Sequence, residues 1–259
     1  MKHNFKITLI LIILFLAAQF LGLVIAKHYL GNDLPYQIER PEVNETSSAI
    51  DIILTIILAS IFVFIMAKFK TYRLWKFWFF LSLMLTLSIS LSAFIPEMIA
   101  LALAIVLALL RVFRNNVYLH NITELFIYGA LAAIFAPMLN ILSMIIILIL
   151  ISAYDMVAVW KTKHMIKLAE FQTKTKMFAG LFIPYKKDNA ILGGGDIGFP
   201  LLFAAVLFKY YSYQAFLIPI FSGLALTLLF IFAKKKKFYP AMPFLTAGCL
   251  IGYLFITLL

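Results

Sequence analysis

Nine apolar runs, each close to twenty residues long, dominate this sequence. They cover residues 7–26, 48–67, 77–95, 97–113, 120–136, 138–160, 191–210, 213–233 and 239–259. A helix rises about 1.5 Å per residue, so about twenty apolar residues cross a hydrocarbon layer of about 30 Å. The chain is 64% hydrophobic and 13% charged, which leaves too little polar surface for a soluble domain. The sequence therefore predicts an all-α polytopic protein of the cell membrane.

The basic residues are divided unevenly between the two sets of loops that nine spans would create. Nineteen of the 22 Lys and Arg residues fall at the N-terminus and in the segments 68–76, 111–114, 161–187 and 234–237. The other set holds only Lys27, Arg40 and Lys209. Because cytoplasmic loops carry the excess of basic residues, we expect a cytoplasmic N-terminus and an external C-terminus. The net charge of +11 is then explained by basic residues that set the orientation of the spans and contact anionic lipid headgroups. We expect no nucleic-acid partner.

Two aspartates lie inside apolar runs, where an ionisable side chain is costly and is a functional hypothesis by default. Asp155 lies six residues before Lys161, near the end of the sixth run. Asp196 lies near the beginning of the seventh run, nine residues after Lys187. Antiparallel neighbouring helices would bring both carboxyl groups to a similar depth near the cytoplasmic face. We therefore interpret them as a catalytic pair.

The remaining acids near apolar runs are Asp51, Glu97 and Glu124. Each lies close to the start of a run or in a turn, so we expect them to reach the interface as solvated or helix N-terminal acids. The four histidines are dispersed and form no zinc-binding motif, and none lies deep enough to activate a serine. We expect no metal and no cofactor.

A pair of carboxyl groups that shares one proton can activate water, one group acting as general base and the other as general acid. The residues Gly193, Gly194 and Gly195 precede Asp196 directly. We expect them to prevent a regular helix start and to let an extended substrate approach the carboxyl group. The competing interpretation is a contact between helices through small residues, with Asp196 as a helix cap.

These residues resemble the presenilin and signal peptide peptidase family of intramembrane aspartyl proteases, particularly its archaeal members. The motifs that carry the resemblance are Tyr154-Asp155 in the sixth run, Gly193-Gly194-Gly195-Asp196 in the seventh, with Pro200 following, and Pro240-Ala241-Met242 in the ninth. The family's third motif is Pro-Ala-Leu, so Met242 is a departure of similar volume. We expect this departure and its neighbour Pro243 to affect the local backbone more than the activity.

The resemblance implies that Asp155 and Asp196 are the catalytic dyad, with Tyr154, the three glycines and Pro240-Ala241-Met242 in support. It implies nine helices, of which residues 1–137 form the first five and residues 138–259 form the catalytic four, with a cytoplasmic loop over 161–190. The substrates would be transmembrane helices of other proteins. Nothing in the sequence indicates an obligate partner subunit.

Two further functions stay open from the residues alone. A prepilin or preflagellin peptidase also carries a Gly-x-Gly-Asp motif, although that motif usually continues into a lysine. A proton-coupled transporter or channel could use the two aspartates as a proton relay. The loop before Asp196 also contains a short apolar segment, 177–183, which could lie on the membrane surface or pair as a strand with a substrate.

Overall fold

The computed structural model describes residues 4–40, 54, 58, 72–114, 116–161, 178–185, 188–233 and 239–259. Its α-helices are α1 (Phe5–Leu30), α2 (Tyr72–Ser92), α3 (Glu97–Phe113), α4 (Val117–Phe135), α5 (Ile141–Met156), α6 (Gly194–Tyr211), α7 (Leu217–Phe232) and α8 (Met242–Leu258). Two strands, β1 (Gly180–Tyr185) and β2 (Asp188–Gly193), lie between α5 and α6. The predicted second run, 48–67, lies almost entirely outside the described residues.

Polar residues and prolines set the helix boundaries inside this apolar sequence. Asn116 and Asn140 cap α4 and α5, because their side chains accept hydrogen bonds from backbone N–H groups of the first turn. Pro96 precedes α3, and a 3₁₀ turn, Ala136–Met138, separates α4 from α5. The short breaks predicted between the third and fourth runs and between the fifth and sixth are therefore present.

Helix α6 is the centre of the bundle. Its residues from Leu201 to Leu207 are all buried, and the helix contacts α1, α4, α5, α7 and α8. A helix that is apolar on every side lies in a protein core or in the membrane. In α6 this stretch is buried by the surrounding helices. Asp196 therefore lies at one end of the innermost helix.

Two breaks in regular helical structure lie between α5 and α6. After α5, residues Val157–Lys161 continue as a π-helical turn. Before α6, β1 and β2 pair antiparallel, with Gly180 opposite Gly193. Gly180 has a φ of +140°, a backbone conformation that residues other than glycine rarely adopt.

Residues 180–183 of the short apolar segment 177–183 belong to β1, which pairs with the chain's own β2. The segment's location at the membrane surface and its pairing with a substrate stay predictions. One prediction for this region is wrong. The seventh run begins as strand β2, and helix α6 starts only at Gly194. A continuous apolar run does not distinguish a buried strand from a helix, which explains the error.

The three basic residues assigned to the sparse set of loops gather at one end of the bundle. Lys209, in the last turn of α6, donates to the carbonyl of Leu139 at 2.8 Å, just before α5. Lys27 donates to the Tyr213 hydroxyl at 2.7 Å, and Arg40 donates to the Tyr29 carbonyl at 2.6 Å. We call this the Lys209 end.

Four helical stretches among the described residues are long and apolar enough to cross a membrane. They are Phe5–Leu30, Val117–Met138, Ile141–Lys161 and Gly194–Phe232, and the last contains both α6 and α7. Shorter apolar helices cover Lys76–Ser92 and Met242–Leu258. The helical, membrane-spanning class is confirmed, whereas the count of nine spans and the orientation of the termini stay predictions.

Candidate active site

Asp155 lies in the last turn of α5, and its carboxyl group meets the start of α8. The side chain is only 9% exposed, and its Oδ2 accepts a hydrogen bond from the Met242 N–H at 3.1 Å. Met242 is the first residue of α8, so this N–H has no partner within the helix and lies at the positive end of the helix dipole. The Pro240-Ala241-Met242 segment thus reaches Asp155 through its backbone.

Pro243 fits this arrangement, because it occupies the first turn of α8. Proline is favoured at that position, since its missing N–H would have no helical partner. The Met242 side chain is 3% exposed and packs in the main apolar core. The backbone problem expected from Pro243 is absent.

A buried pair of hydroxyl groups strengthens the contact between α5 and α8. Ser152, one turn before Asp155, lies with its Oγ 2.7 Å from Oγ1 of Thr246. The pair gives each hydroxyl a hydrogen-bond partner away from water, and Thr246 also donates to the Leu148 carbonyl at a longer 3.4 Å. It was missed in the sequence, because small hydroxyl residues are common in apolar helices and their pairing depends on the helix register.

Asp196 lies in the first turn of α6, directly after the hairpin. The expectation that the three glycines prevent a helix start is wrong: Gly193 ends β2 in extended conformation, and Gly194 and Gly195 begin α6. A Cβ added at Gly193 would lie 3.3 Å from Oδ2 of Asp196. Gly195 is exposed, and an added Cβ would meet only the Phe199 ring, at 3.5 Å.

Helix α6 is irregular just beyond Asp196. Pro200 has no N–H, so it cannot donate to the Asp196 carbonyl four residues earlier. Within the same turn the carbonyl of Ile197 accepts a bond from Nε2 of Gln19, at 2.7 Å. Gln19 is fully buried on α1, and no motif indicated that it would reach this turn.

The helix directions place both aspartates at the end of the bundle opposite Lys209. Because Lys209 at the end of α6 contacts the chain just before α5, the two helices run antiparallel. Asp155 lies fourteen residues after Ile141 and Asp196 thirteen residues before Lys209, which is about 20 Å along each helix. The two helices are also in contact. We call this the aspartate end.

A buried ionic group lies on α3 and α4 at the aspartate end. Arg111 forms an ion pair with Glu124, and the side chains are 4% and 1% exposed. The Tyr128 hydroxyl donates to the other oxygen of Glu124. The expectation that Glu124 is a solvated or interfacial acid is therefore wrong, because α3 supplies a counter-ion thirteen residues earlier in the chain.

The other predicted supporting residues occupy different surroundings. Tyr154 is 53% exposed at the surface of α5, next to Asp155 in sequence. Pro240 is buried and Ala241 half-buried at the start of α8. Their roles in catalysis stay predictions.

The sequence from residue 12 to residue 259 matches the family described as signal-peptide peptidase, presenilin aspartyl protease. The chain belongs to this family. It is an intramembrane aspartyl protease and a multi-pass membrane protein, as the sequence motifs predicted. The family match decides against the transporter and prepilin peptidase alternatives.

Solved structures give the same fold. The chain is similar to a presenilin family intramembrane aspartate protease solved in space group C222, with 20% identity and a TM-score of 0.72, over 97% of this chain and 98% of that one. A structure described in the same words, in space group P2, gives 22% identity and a TM-score of 0.69, over 96% of each chain. No curated protein matches the sequence.

Proposed function

We propose that Asp155 and Asp196 are the acid–base pair with which this protease hydrolyses peptide bonds inside transmembrane helices. The observation that carries the proposal is their placement at one end of two antiparallel, contacting helices. A carboxyl group inside an apolar membrane helix costs about 3 kcal/mol in free energy of folding. Asp155 is buried and Asp196 half-buried at the same end of the bundle, which supports a functional reason for keeping both.

The chemistry follows from two carboxyl groups that share one proton. One aspartate takes a proton from water as the water oxygen attacks the substrate carbonyl carbon, and the other donates a proton to the carbonyl oxygen. The tetrahedral intermediate then breaks its C–N bond. The leaving nitrogen receives the proton that the first aspartate took from water, and a hydroxyl of the intermediate returns a proton to the second aspartate. The products are a free carboxyl group and a free amine. The N–H of Met242 holds Asp155 in place through this cycle.

The hairpin offers a surface for an unwound substrate. A helical substrate hides its carbonyls in internal hydrogen bonds, so water can attack only after local unwinding. Along β1, both polar backbone groups of Phe182 are bonded to the Asn121 side chain, so α4 covers that edge. The outer edge of β2 has no strand partner among the described residues, and β2 leads directly to Asp196. An extended substrate segment pairs there.

The orientation follows from the distribution of charge. The charge count places only three Lys and Arg residues on the external side, and all three lie at the Lys209 end. This supports a cytoplasmic aspartate end and an external C-terminus. Nine spans, with residues 1–137 as the N-terminal five and 138–259 as the catalytic four, complete this proposal. The preferred substrates are helices whose N-terminus lies outside the cell.

The test is mass-spectrometric mapping of cleavage in liposomes. Two single-span substrates carry the same apolar segment, one inserted with its N-terminus outside and the other reversed. We expect cleavage inside the apolar segment of the first substrate and none with the Asp155→Asn or Asp196→Asn proteins. Asp33→Asn, an exposed aspartate at the Lys209 end, is the matched control and should cleave normally. Preference for the reversed substrate would overturn the orientation, and cleavage by either site variant would overturn the dyad.

A further inference from the structure

The ionic group on α3 and α4 is enclosed on all sides by protein. Arg111 is 7% exposed, Glu124 1% and Tyr128 4%. Arg111 donates to Glu124, to the Thr123 hydroxyl and to the His120 carbonyl. Burying such a pair usually gives no net stability compared with an apolar packing of the same volume. Its presence therefore calls for a reason other than stability.

The same helices bind the hairpin by its backbone. Arg111 donates to the Phe178 carbonyl at 3.1 Å, and Nε2 of His120 donates to the Gly180 carbonyl at 2.7 Å. The amide of Asn121 donates to the Phe182 carbonyl at 2.8 Å and accepts from the Phe182 N–H at 3.0 Å. Four backbone groups at the start of the hairpin are thus fixed to α3 and α4.

Tyr128 connects this group to the catalytic helix. A Cβ added at Gly194 would lie 3.0 Å from the Tyr128 hydroxyl, and one at Gly198 would lie 3.6 Å from the Tyr128 ring. Tyr128 therefore packs against the residues two before and two after Asp196. The Asp196 carboxyl group is also near enough to Tyr128 for an electrostatic interaction.

We propose that Arg111, Glu124 and Tyr128 form a positioning cluster that holds the hairpin and the first turn of α6 in register, and so sets the place of Asp196. Tyr128, held by Glu124, fixes the face of α6 that carries Gly194 and Gly198. Arg111 fixes the entry of β1, whose partner strand β2 ends at Gly193. This inference rests on the proposed catalytic role of Asp196.

The first test is Tyr128→Phe, which removes one hydroxyl and keeps the ring. Tyr29→Phe is the matched control, because Tyr29 is 2% exposed and its hydroxyl also donates one buried bond, to the Ile89 carbonyl at 2.8 Å. We expect Tyr128→Phe to lower kcat by about ten-fold with KM within about two-fold, and Tyr29→Phe to change neither. Unchanged kcat in Tyr128→Phe, or a loss no larger than its loss of folded protein, would overturn the proposal.

The second test removes both charges together, because Arg111→Met alone would leave Glu124 buried and unpaired. In Arg111→Met/Glu124→Gln we expect amide hydrogen exchange in the hairpin and first turn of α6 to rise by about ten-fold, with α7 and α8 unchanged. Parental exchange rates in the hairpin would overturn the proposal.

The cleavage activity of Asp196→Asn separates the positioning proposal from the proposed catalytic dyad. If that variant still cleaves, the dyad is wrong. If it is inactive while Tyr128→Phe behaves like Tyr29→Phe, only the positioning role is wrong.

Discussion

The residues around Asp196 have distinct relations to its carboxyl group. Gly193 leaves room beside Oδ2, where an added Cβ would lie 3.3 Å away. Gly195 is exposed, and no internal atom lies closer than 3.5 Å to the position of an added Cβ. Folding therefore does not require glycine at position 195. A substrate backbone that approaches closely at this position would require it, because a side chain would occupy the same space.

This difference gives a prediction for Gly195→Ala. Replacing glycine by alanine in a helix raises stability by up to about 1 kcal/mol, so the variant should melt at the parental temperature or higher. We expect its cleavage rate to fall nevertheless by about ten-fold, because the methyl group occupies substrate space. Thermal unfolding and cleavage are measured on the same preparation. Gly31→Ala, exposed with no atom near the added Cβ, is the control. Parental activity in Gly195→Ala would show that substrate does not approach there.

Among individual residues, the two aspartates could be predicted as site candidates from the sequence, because carboxylates are rare in apolar runs and each is recognisable by itself. Glu124 was misplaced by the same reasoning, because its environment depends on Arg111 from another helix. Gln19 gave no signal at all, since a single buried amide has no recognisable spacing. Pairings between helices are decided by packing, which one sequence does not specify.

Among the elements, the start of α8 is the part of the bundle that touches Asp155. The contact uses the backbone N–H of Met242, so the residue type at this position matters less than its ability to donate. This explains how methionine can replace the leucine of the family motif. A medium-sized apolar side chain fills the buried site either way.

Met242→Pro and Met242→Ala separate the two contributions of this residue. Both shorten the buried side chain, but only proline removes the N–H that bonds to Asp155, and proline is accepted at the start of a helix. We expect Met242→Ala to lose about 2 kcal/mol of stability. Met242→Pro should lose more, because Ala241 has helical backbone angles that a following proline disfavours. Activity of the folded fraction should fall by about a hundred-fold more in Met242→Pro than in Met242→Ala, because an oriented carboxyl group is lost. Equal activities would mean that the hydrogen bond is not needed.

The hydroxyl pair of Ser152 and Thr246 predicts a non-additive effect on stability. Thr246→Val removes the partner of the Ser152 hydroxyl, at a cost of about 1–3 kcal/mol. Ser152→Ala leaves the Thr246 hydroxyl with only the longer bond to the Leu148 carbonyl, at 3.4 Å. The double variant removes both groups and should be no less stable than the worse single variant. Unfolding free energies of the four proteins test this. Simple addition of the two losses would show that the hydroxyls do not interact.

The hairpin shows where element prediction failed. The positions of the apolar runs predicted helices α1 to α8 to within a few residues, because length and hydropathy determine where a chain can form a membrane helix. The apolar second half of β2, residues 190–193, could equally begin a helix. It is a strand because it pairs with β1, which Asn121 of α4 binds along its other edge. The nearby glycines marked the region as unusual without indicating a strand.

Over the whole molecule, the separation of the Lys209 end from the aspartate end supports one orientation in the membrane. Cys249 is the single cysteine and is buried, so Cys249→Ala provides a background for labelling. We expect Asp33→Cys to react with an impermeant thiol reagent in intact cells, and Tyr118→Cys, exposed at the opposite end, to react only after permeabilisation. The reverse pattern would place the aspartates at the external face.

We propose that Asp155 and Asp196 act together on one water molecule. The most direct measurement compares intramembrane cleavage by the parent, Asp155→Asn, Asp196→Asn and the double variant, by mass spectrometry under single-turnover conditions. Groups that act as a unit are not additive, so each single variant should lose at least about a thousand-fold in rate, and the double variant should be no slower than either. A single variant that keeps a substantial rate, or a double variant whose loss is the product of the two single losses, would contradict the account.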